Sequence, residues 1–290
     1  VATIADLLFY PIKGCRGFSV REATLAVAGL EIDGVGDREW VVVDAEGEFL
    51  SQREHPKMAL IETRIAGAAL RIKAPGMLTL EVPFASEGDV LKVRVWDDTI
   101  AAVTQGEIAD AWFSTYLGTP ARLMRFDPEH TRLSSRKYTG VLEAPYKFAD
   151  AFAVLVTSTE SLADLNARLA KAGHAAVTME RFRPNVVLTG VDAFEEDYCK
   201  ALQVGEATLR VVKPCARCSV PGVDPVTGEQ SSVVPDLLAT YRGKPEGVMF
   251  GVNAVVAGGA GCTLRVGDRV ELTLDLYSLK DSCGAARFLL

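Results

Sequence analysis

Histidine is scarce in this 290-residue chain: His55, His130 and His174 stand far apart, and no two share the spacing of a metal-binding pair. Cysteine is sparse as well. Cys15, Cys199, Cys215, Cys218, Cys262 and Cys283 follow no regular spacing and are too few to staple a chain of this length, so free thiols in a reducing compartment are expected. Basic charge is in deficit, with 31 Lys and Arg against 38 Asp and Glu. A net charge of −7 argues against a nucleic-acid binder, because neutralising phosphates needs a basic surface. No apolar run approaches the roughly 20 residues that cross a bilayer, and the first residues lack the charged, apolar, small-residue order of a secretory signal. The chain starts at Val1 rather than methionine, which leaves room for a processed or trimmed end. Repeats and low-complexity stretches are absent too. The expectation is a soluble cytoplasmic protein with no nucleic-acid and no membrane partner.

What is present is enough apolar material, 49% of residues, for one large core or two ordinary ones. Most of it lies in short β-runs separated by turns. Trp40-Val41-Val42-Val43 and Glu48-Phe49-Leu50 flank Asp44-Ala45-Glu46-Gly47, a hairpin pattern. Further runs follow at 59–65, 70–72, 78–82, 91–95 and 100–103. Closely spaced strands with few long helices predict a mainly β, α+β protein, a twisted barrel or sandwich rather than a doubly wound sheet.

Two helices stand out. Thr104 with Glu107 reads as a capping box, followed by Ile108, Trp112, Phe113 and Tyr116 on one face and Gly118 as a stop. Thr157 with Glu160 repeats the pattern, with Leu162, Leu165 and Leu169 on one face and Gly173 closing it. A third helix is predicted from Pro235 to about Arg242. The polar stretch 127–139 reads as a crossing between domains. This divides the chain into an N-terminal β-domain, 1–122, a second β-rich domain, 123–274, and a peripheral tail, 275–290, that includes Ser278, Asp281, Ser282 and Gly284.

One run carries chemistry: Val212-Lys213-Pro214-Cys215-Ala216-Arg217-Cys218, followed by Pro221-Gly222 and Asp224-Pro225. Two thiols lie three positions apart beyond a predicted strand, with a guanidinium between them that favours the thiolate. The prolines forbid a helix and hold the segment as a rigid loop. A thiolate here suits a soft metal or redox chemistry. Competing readings are structural zinc, which needs two further ligands, a thioredoxin-like dithiol, whose helix Pro221-Gly222 interrupts, and a Cys218 that is merely buried. A second feature is independent of the thiols. Val154-Leu155-Val156 runs into Thr157-Ser158, and a strand feeding a hydroxyl-lined helix N-terminus makes an anion site from unpaired amides.

Six segments together resemble a known family. They are Tyr10-Pro11-Ile12-Lys13, Gly36-Asp37-Arg38-Glu39-Trp40, Ser51-Gln52-Arg53, Ser161-Leu162-Ala163-Asp164-Leu165-Asn166, Arg181-Phe182-Arg183-Pro184-Asn185, and Cys215-Ala216-Arg217-Cys218 with Val223-Asp224-Pro225-Val226-Thr227-Gly228. In this order they resemble the proteins that join an N-terminal β-barrel domain to a molybdenum-cofactor sulfurase C-terminal (MOSC) domain. That family includes the mitochondrial amidoxime-reducing components and their bacterial relatives.

The resemblance implies an N-terminal β-barrel followed by a MOSC β-barrel, and a molybdenum-pyranopterin cofactor in its monophosphate form. Cys218 would be the metal ligand. Lys13, Arg38, Arg53, Arg183 and Arg217 would bind the cofactor, together with Thr157 and Ser158 at the helix start. Asn185 would both contact the cofactor and take a catalytic part beside the metal, although an Asx-turn is the competing reading. Asp224 would shape its turn. The implied activity is reduction of N-hydroxylated compounds (amidoximes, hydroxylamines or N-hydroxylated base analogues). No iron–sulfur cysteine run is present, so electrons would come from a separate ferredoxin, flavodoxin or cytochrome b5 type protein. The alternative is a cofactor carrier or a sulfur-transfer protein with a persulfide on Cys218. Gly14 and Ala151 depart from residues frequent in relatives and bear on substrate fit. Since Lys13 and Arg38 are N-terminal while Arg183 and Cys218 are C-terminal, the site is expected in a cleft between the β-domains, with the Thr157–Gly173 helix aimed into it.

Overall fold

The computed structural model describes residues 1–275; the predicted tail, apart from Asp275, and Cys283 lie outside the described residues. The architecture is mainly β with four α-helices among the described residues, as the strand spacing predicts. The largest sheet has nine strands and contains both ends of the described chain. Thr3–Phe9 pairs antiparallel with Val186–Thr189, which lies parallel to Val154–Ser158. The parallel pair is bridged by the Thr159–Lys171 helix, the crossover that such a pair needs. Beyond it come Gly247–Gly258, Ala207–Arg217, Cys199–Val204 and Glu271–Leu274. A four-stranded sheet of Val90–Val95, Asp98–Thr104, Arg122–Phe126 and Trp40–Val43 forms much of the N-terminal half.

Strands of a small sheet alternate, as in Ala69–Lys73 with Leu70 and Ile72 buried, whereas central strands bury both faces. Every side chain of Trp40–Val43 is buried, and Trp40 donates its indole N–H to Gln105 Oε1 at 3.0 Å, so no buried donor is left open. Phe182 and Phe250 stack at 3.9 Å between the Thr159–Lys171 and Val233–Arg242 helices and the sheet. Burying a ring of that size stabilises the fold by roughly 2–3 kcal/mol.

Helix starts differ from the sequence reading by one or two residues, and the differences matter. Thr104 ends a strand, and its Oγ1 accepts from Asp89 N at 3.0 Å rather than capping. The helix Glu107–Leu117 begins after Gly106, whose φ of 90° favours glycine. That shift makes Ala109, Trp112, Phe113 and Leu117 the buried stripe and leaves Ile108 on the solvent side, 79% exposed. Gly118, at φ 73°, ends the helix as predicted. The next helix spans Thr159–Lys171, and its cap is Ser158, not Thr157. The helix predicted from Pro235 starts at Val233 and ends at Arg242.

The strand Ala207–Arg217 is irregular where it approaches the site. Its pairing with Gly247–Gly258 shifts register between Val211 and Lys213 and again between Pro214 and Ala216. Pro214 cannot donate to the ladder, and bulges are where sheets tolerate it. The bulges aim Lys213 and Cys215 into a cavity.

A cation-lined cavity with an exposed thiol

A cavity of about 320 Å³ opens where the bulged strand meets the N-terminal loops. Lys13, Arg38, Arg53, Arg183, Lys213 and Arg217 line it, against one carboxylate among the described residues, Asp150. In a chain of net charge −7, that local excess marks an anion site.

Arg38 and Arg183 form the floor. Both sit at positive φ, 50° and 56°, a conformation that costs a non-glycine residue about 1–2 kcal/mol and persists only where the surroundings enforce it. Their guanidinium groups stack on the Tyr10 ring at 4.5 and 4.4 Å. Tyr10 itself lies against Gly17, where an added Cβ would stand 2.4 Å from the ring. Arg38 is fastened on three sides: an ion pair with Asp37, a bond to Asn185 Oδ1 at 3.2 Å, and one to the Arg183 carbonyl at 2.9 Å. Arg183 donates through Nη1 to the Cys15 carbonyl at 2.6 Å, while its Nη2 is buried with no hydrogen-bond partner. Burial and the like charge of Arg38 hold the Arg183 pKa down, with Asp37 opposing. A guanidinium that lines the cavity and keeps one N–H buried without a partner suits an anionic ligand.

Asn185 lines the same floor, but its polar atoms are engaged within the fold. Oδ1 accepts from Arg38 and from Leu155 N at 3.2 Å, and Nδ2 donates to the Leu8 carbonyl at 3.4 Å. It holds Arg38 in place; it is not a turn-closing Asn.

At one end, Lys13 pairs with Asp150 at 2.5 Å and lies over the Phe49 ring at 5.3 Å. Burial lowers the Lys13 pKa, with Asp150 opposing. Trp96 donates Nε1–H to Asp150 Oδ1 at 3.1 Å, and Arg53 stacks on the Trp96 ring at 4.4 Å. At the other end, Arg217 donates to the Phe182 carbonyl at 2.7 Å and to Cys215 Sγ at 3.1 Å, and its Nε is buried without a partner. Cys218 follows the strand and is exposed, so a buried Cys218 is excluded. The loop beyond is fixed by Asp224. Its Oδ1 accepts from Val226 N and Thr227 N at 2.8 and 3.1 Å, and its Oδ2 pairs with Arg181 at 2.6 Å.

Cys15 and Cys199 contrast with Cys218: both are buried, and burial pushes each thiol up to about 12, so neither offers a thiolate. No group of three or more His, Cys, Asp or Glu capable of holding a metal occurs among the described residues, so zinc finds no ligand set.

Thr157 and Ser158 do not join the site, which corrects the sequence reading. Both are fully buried. Thr157 Oγ1 donates to Met179 Sδ at 3.3 Å, so the Met179–Phe182 turn covers it. Ser158 accepts from Ser161 N at 3.1 Å and donates to Glu196 Oε2 at 3.0 Å. Glu196, whose carboxyl burial pushes up, places the protein's own carboxyl group at the helix N-terminus. Lys13, Arg38, Arg53, Arg183, Arg217 and Cys218 line the cavity, and the helix start does not. The sequence reading does not single out Asp150, Trp96, Phe49 or Lys213 as site residues; only Lys213, two residues before Cys215, carries a hint.

Comparison with known proteins identifies the family. Residues 1–120 match the model of the MOSC N-terminal β-barrel domain, and residues 143–271 match that of the MOSC domain. The chain is 35% identical over 248 residues to mitochondrial amidoxime reducing component 2 of Homo sapiens, covering 83% of this chain and 73% of that protein. It is 34% identical over 249 residues to mitochondrial amidoxime-reducing component 1 of Homo sapiens, covering 83% and 72%. The rat component 2 is 32% identical over 297 residues, covering 95% of this chain and 84% of its own.

Proposed function

The chain belongs to the family that joins a MOSC N-terminal β-barrel domain to a MOSC domain, and from that premise we propose that it is a molybdenum cofactor-dependent oxidoreductase. Its substrates are N-hydroxylated compounds of the amidoxime and hydroxylamine type. The carrying observation is the cavity that joins an exposed thiol, Cys218, to a wall whose Arg183 keeps a buried N–H unpaired. These residues fit a phosphate-bearing group held by a soft metal at its other end.

Cys218, exposed at the end of the bulged strand, would hold the metal through its soft sulfur. Arg183, Arg38 and Lys13 would take the phosphate and the anionic edge of the pterin. Asn185 is a positioning residue that holds Arg38, and Arg217 locks the thiol loop to Phe182. When bound, the group supplies the two-electron cleavage of the N–O bond. The balance is R–C(NH2)=N–OH + 2 e⁻ + 2 H⁺ → R–C(NH2)=NH + H2O, with electrons from a separate protein of ferredoxin, flavodoxin or cytochrome b5 type.

Protein isolated from a host that makes the cofactor should reduce benzamidoxime to benzamidine with a reduced viologen dye as donor. Protein from a host unable to make it should not. Equal turnover from both hosts would overturn the molybdenum requirement. Loaded protein that releases intact cofactor but reduces nothing would favour the carrier.

A further inference from the structure

The segment 133–141 lies outside the site described above and carries a surface of its own. Ser134 ties it down: its N–H donates to the Ala144 carbonyl and its Oγ to the Ala151 carbonyl, both at 2.9 Å. Ala144 and Leu142 then pack with Phe152, Val212 and Val255. With those side chains turned inward, Leu133, Arg136, Lys137, Tyr138 and Val141 are left exposed, Val141 at 98%. Apolar side chains grouped in this way on an anchored segment mark an interaction surface.

Its charge runs against the rest of the chain. Arg210 and Lys213 of the bulged strand join Arg136 and Lys137, Arg210 by donating to the Thr139 carbonyl. Lys213 and Lys137 lie over the Tyr138 ring at 4.6 and 5.4 Å and form no ion pair among the described residues. Glu143 meets Arg136 at 3.5 Å with both side chains exposed, a pair that neutralises little. Four cations therefore cluster on a protein of net charge −7. A long polyanion laid over them would also meet the acidic remainder. A small acidic partner can meet the patch alone.

The patch also backs onto the cavity. Tyr138 meets Phe152 edge-on at 5.7 Å, and Phe152 and Lys213 both line the cavity. We propose that the 133–141 segment, with Arg210 and Lys213, docks the acidic face of a ferredoxin-type electron carrier. This rests on the reductase reading above, which needs electrons from a separate protein. Two reduced carriers supply one electron each, and the amidoxime takes both with two protons to give amidine and water. Such encounters use small, weak interfaces, which suits a patch built from one short segment and one strand.

The test is calorimetric titration of the full chain with a plant-type [2Fe–2S] ferredoxin. Binding should weaken at least about tenfold as ionic strength rises from about 10 to about 150 mM, which shortens the Debye length from roughly 30 to 8 Å. Arg136→Glu with Lys137→Glu should weaken it at least about tenfold at low salt, and Val141→Asp should weaken it less. Lys73→Glu with Lys171→Glu makes the same charge change at exposed positions of other elements and should leave binding near wild type. Turnover driven by ferredoxin should fall with the patch variant, while turnover driven by a viologen dye should not. No ferredoxin binding, or equal losses from the two double variants, overturns the proposal. So does a patch that instead captures phosphatidylserine vesicles or a second copy of this chain. Binding is read without turnover, so a protein that docks ferredoxin through the patch but reduces no amidoxime would fail the reductase reading alone.

Discussion

Replacing Cys218 by serine is expected to abolish amidoxime reduction, a fall of at least about 100-fold, exceeding the effect typical of removing a residue that only supports a ligand. The physical reason is ligand softness. A cysteine sulfur is a soft ligand for a soft metal, whereas a serine oxygen is hard. Cys218 is exposed and lies outside the buried clusters, so the change removes no core packing and the variant should melt with the wild type. Cys215→Ser is the control. Its sulfur touches Arg217 at 3.1 Å, and the variant should lose far less activity. Equal loss from both would revive a paired-dithiol mechanism. Near wild-type turnover of Cys218→Ser with molybdenum bound would remove Cys218 from the metal.

Removing the charge of Arg183 should lower cofactor content more than stability. Position 183 lies at φ 56°, so asparagine, which tolerates the left-handed region, separates charge loss from backbone strain better than alanine. Arg183→Asn gives up the unpaired Nη2 donor and the charge behind it. A charge-assisted contact of about 2 kcal/mol corresponds to roughly 30-fold weaker binding. Lys13→Met should act the same way from the other half of the chain, since it keeps an apolar stem over Phe49 while deleting the ammonium. Metal analysis of the three proteins, with melting curves alongside, checks both. Normal loading of both variants would mean that the Arg183 and Lys13 cations do not hold the phosphate.

Local patterns in the sequence carried much of this. Alternation marked the strands, Gly118 marked a helix end, and motifs spread from Lys13 to Cys218 supplied cations that converge on one cavity. Where the reading failed, a residue distant in sequence had intervened. Thr157-Ser158 reads as an open anion site until Glu196, 38 residues beyond Ser158, takes its hydroxyl and fills the place. Thr104 reads as a cap until Asp89, 15 residues away, claims its oxygen. Trp96 and Asp150 meet across 54 residues, and neither residue type announces the pairing. Hydroxyls and carboxylates have several ways to be satisfied, and only the fold decides among them.

The most direct test of the central claim is the molybdenum and pterin content of the wild-type protein isolated from a host that makes the cofactor. The account predicts close to one molybdenum and one pterin per chain, released together on denaturation. Protein that carries neither, while another molybdenum enzyme in the same cells is fully loaded, would contradict it.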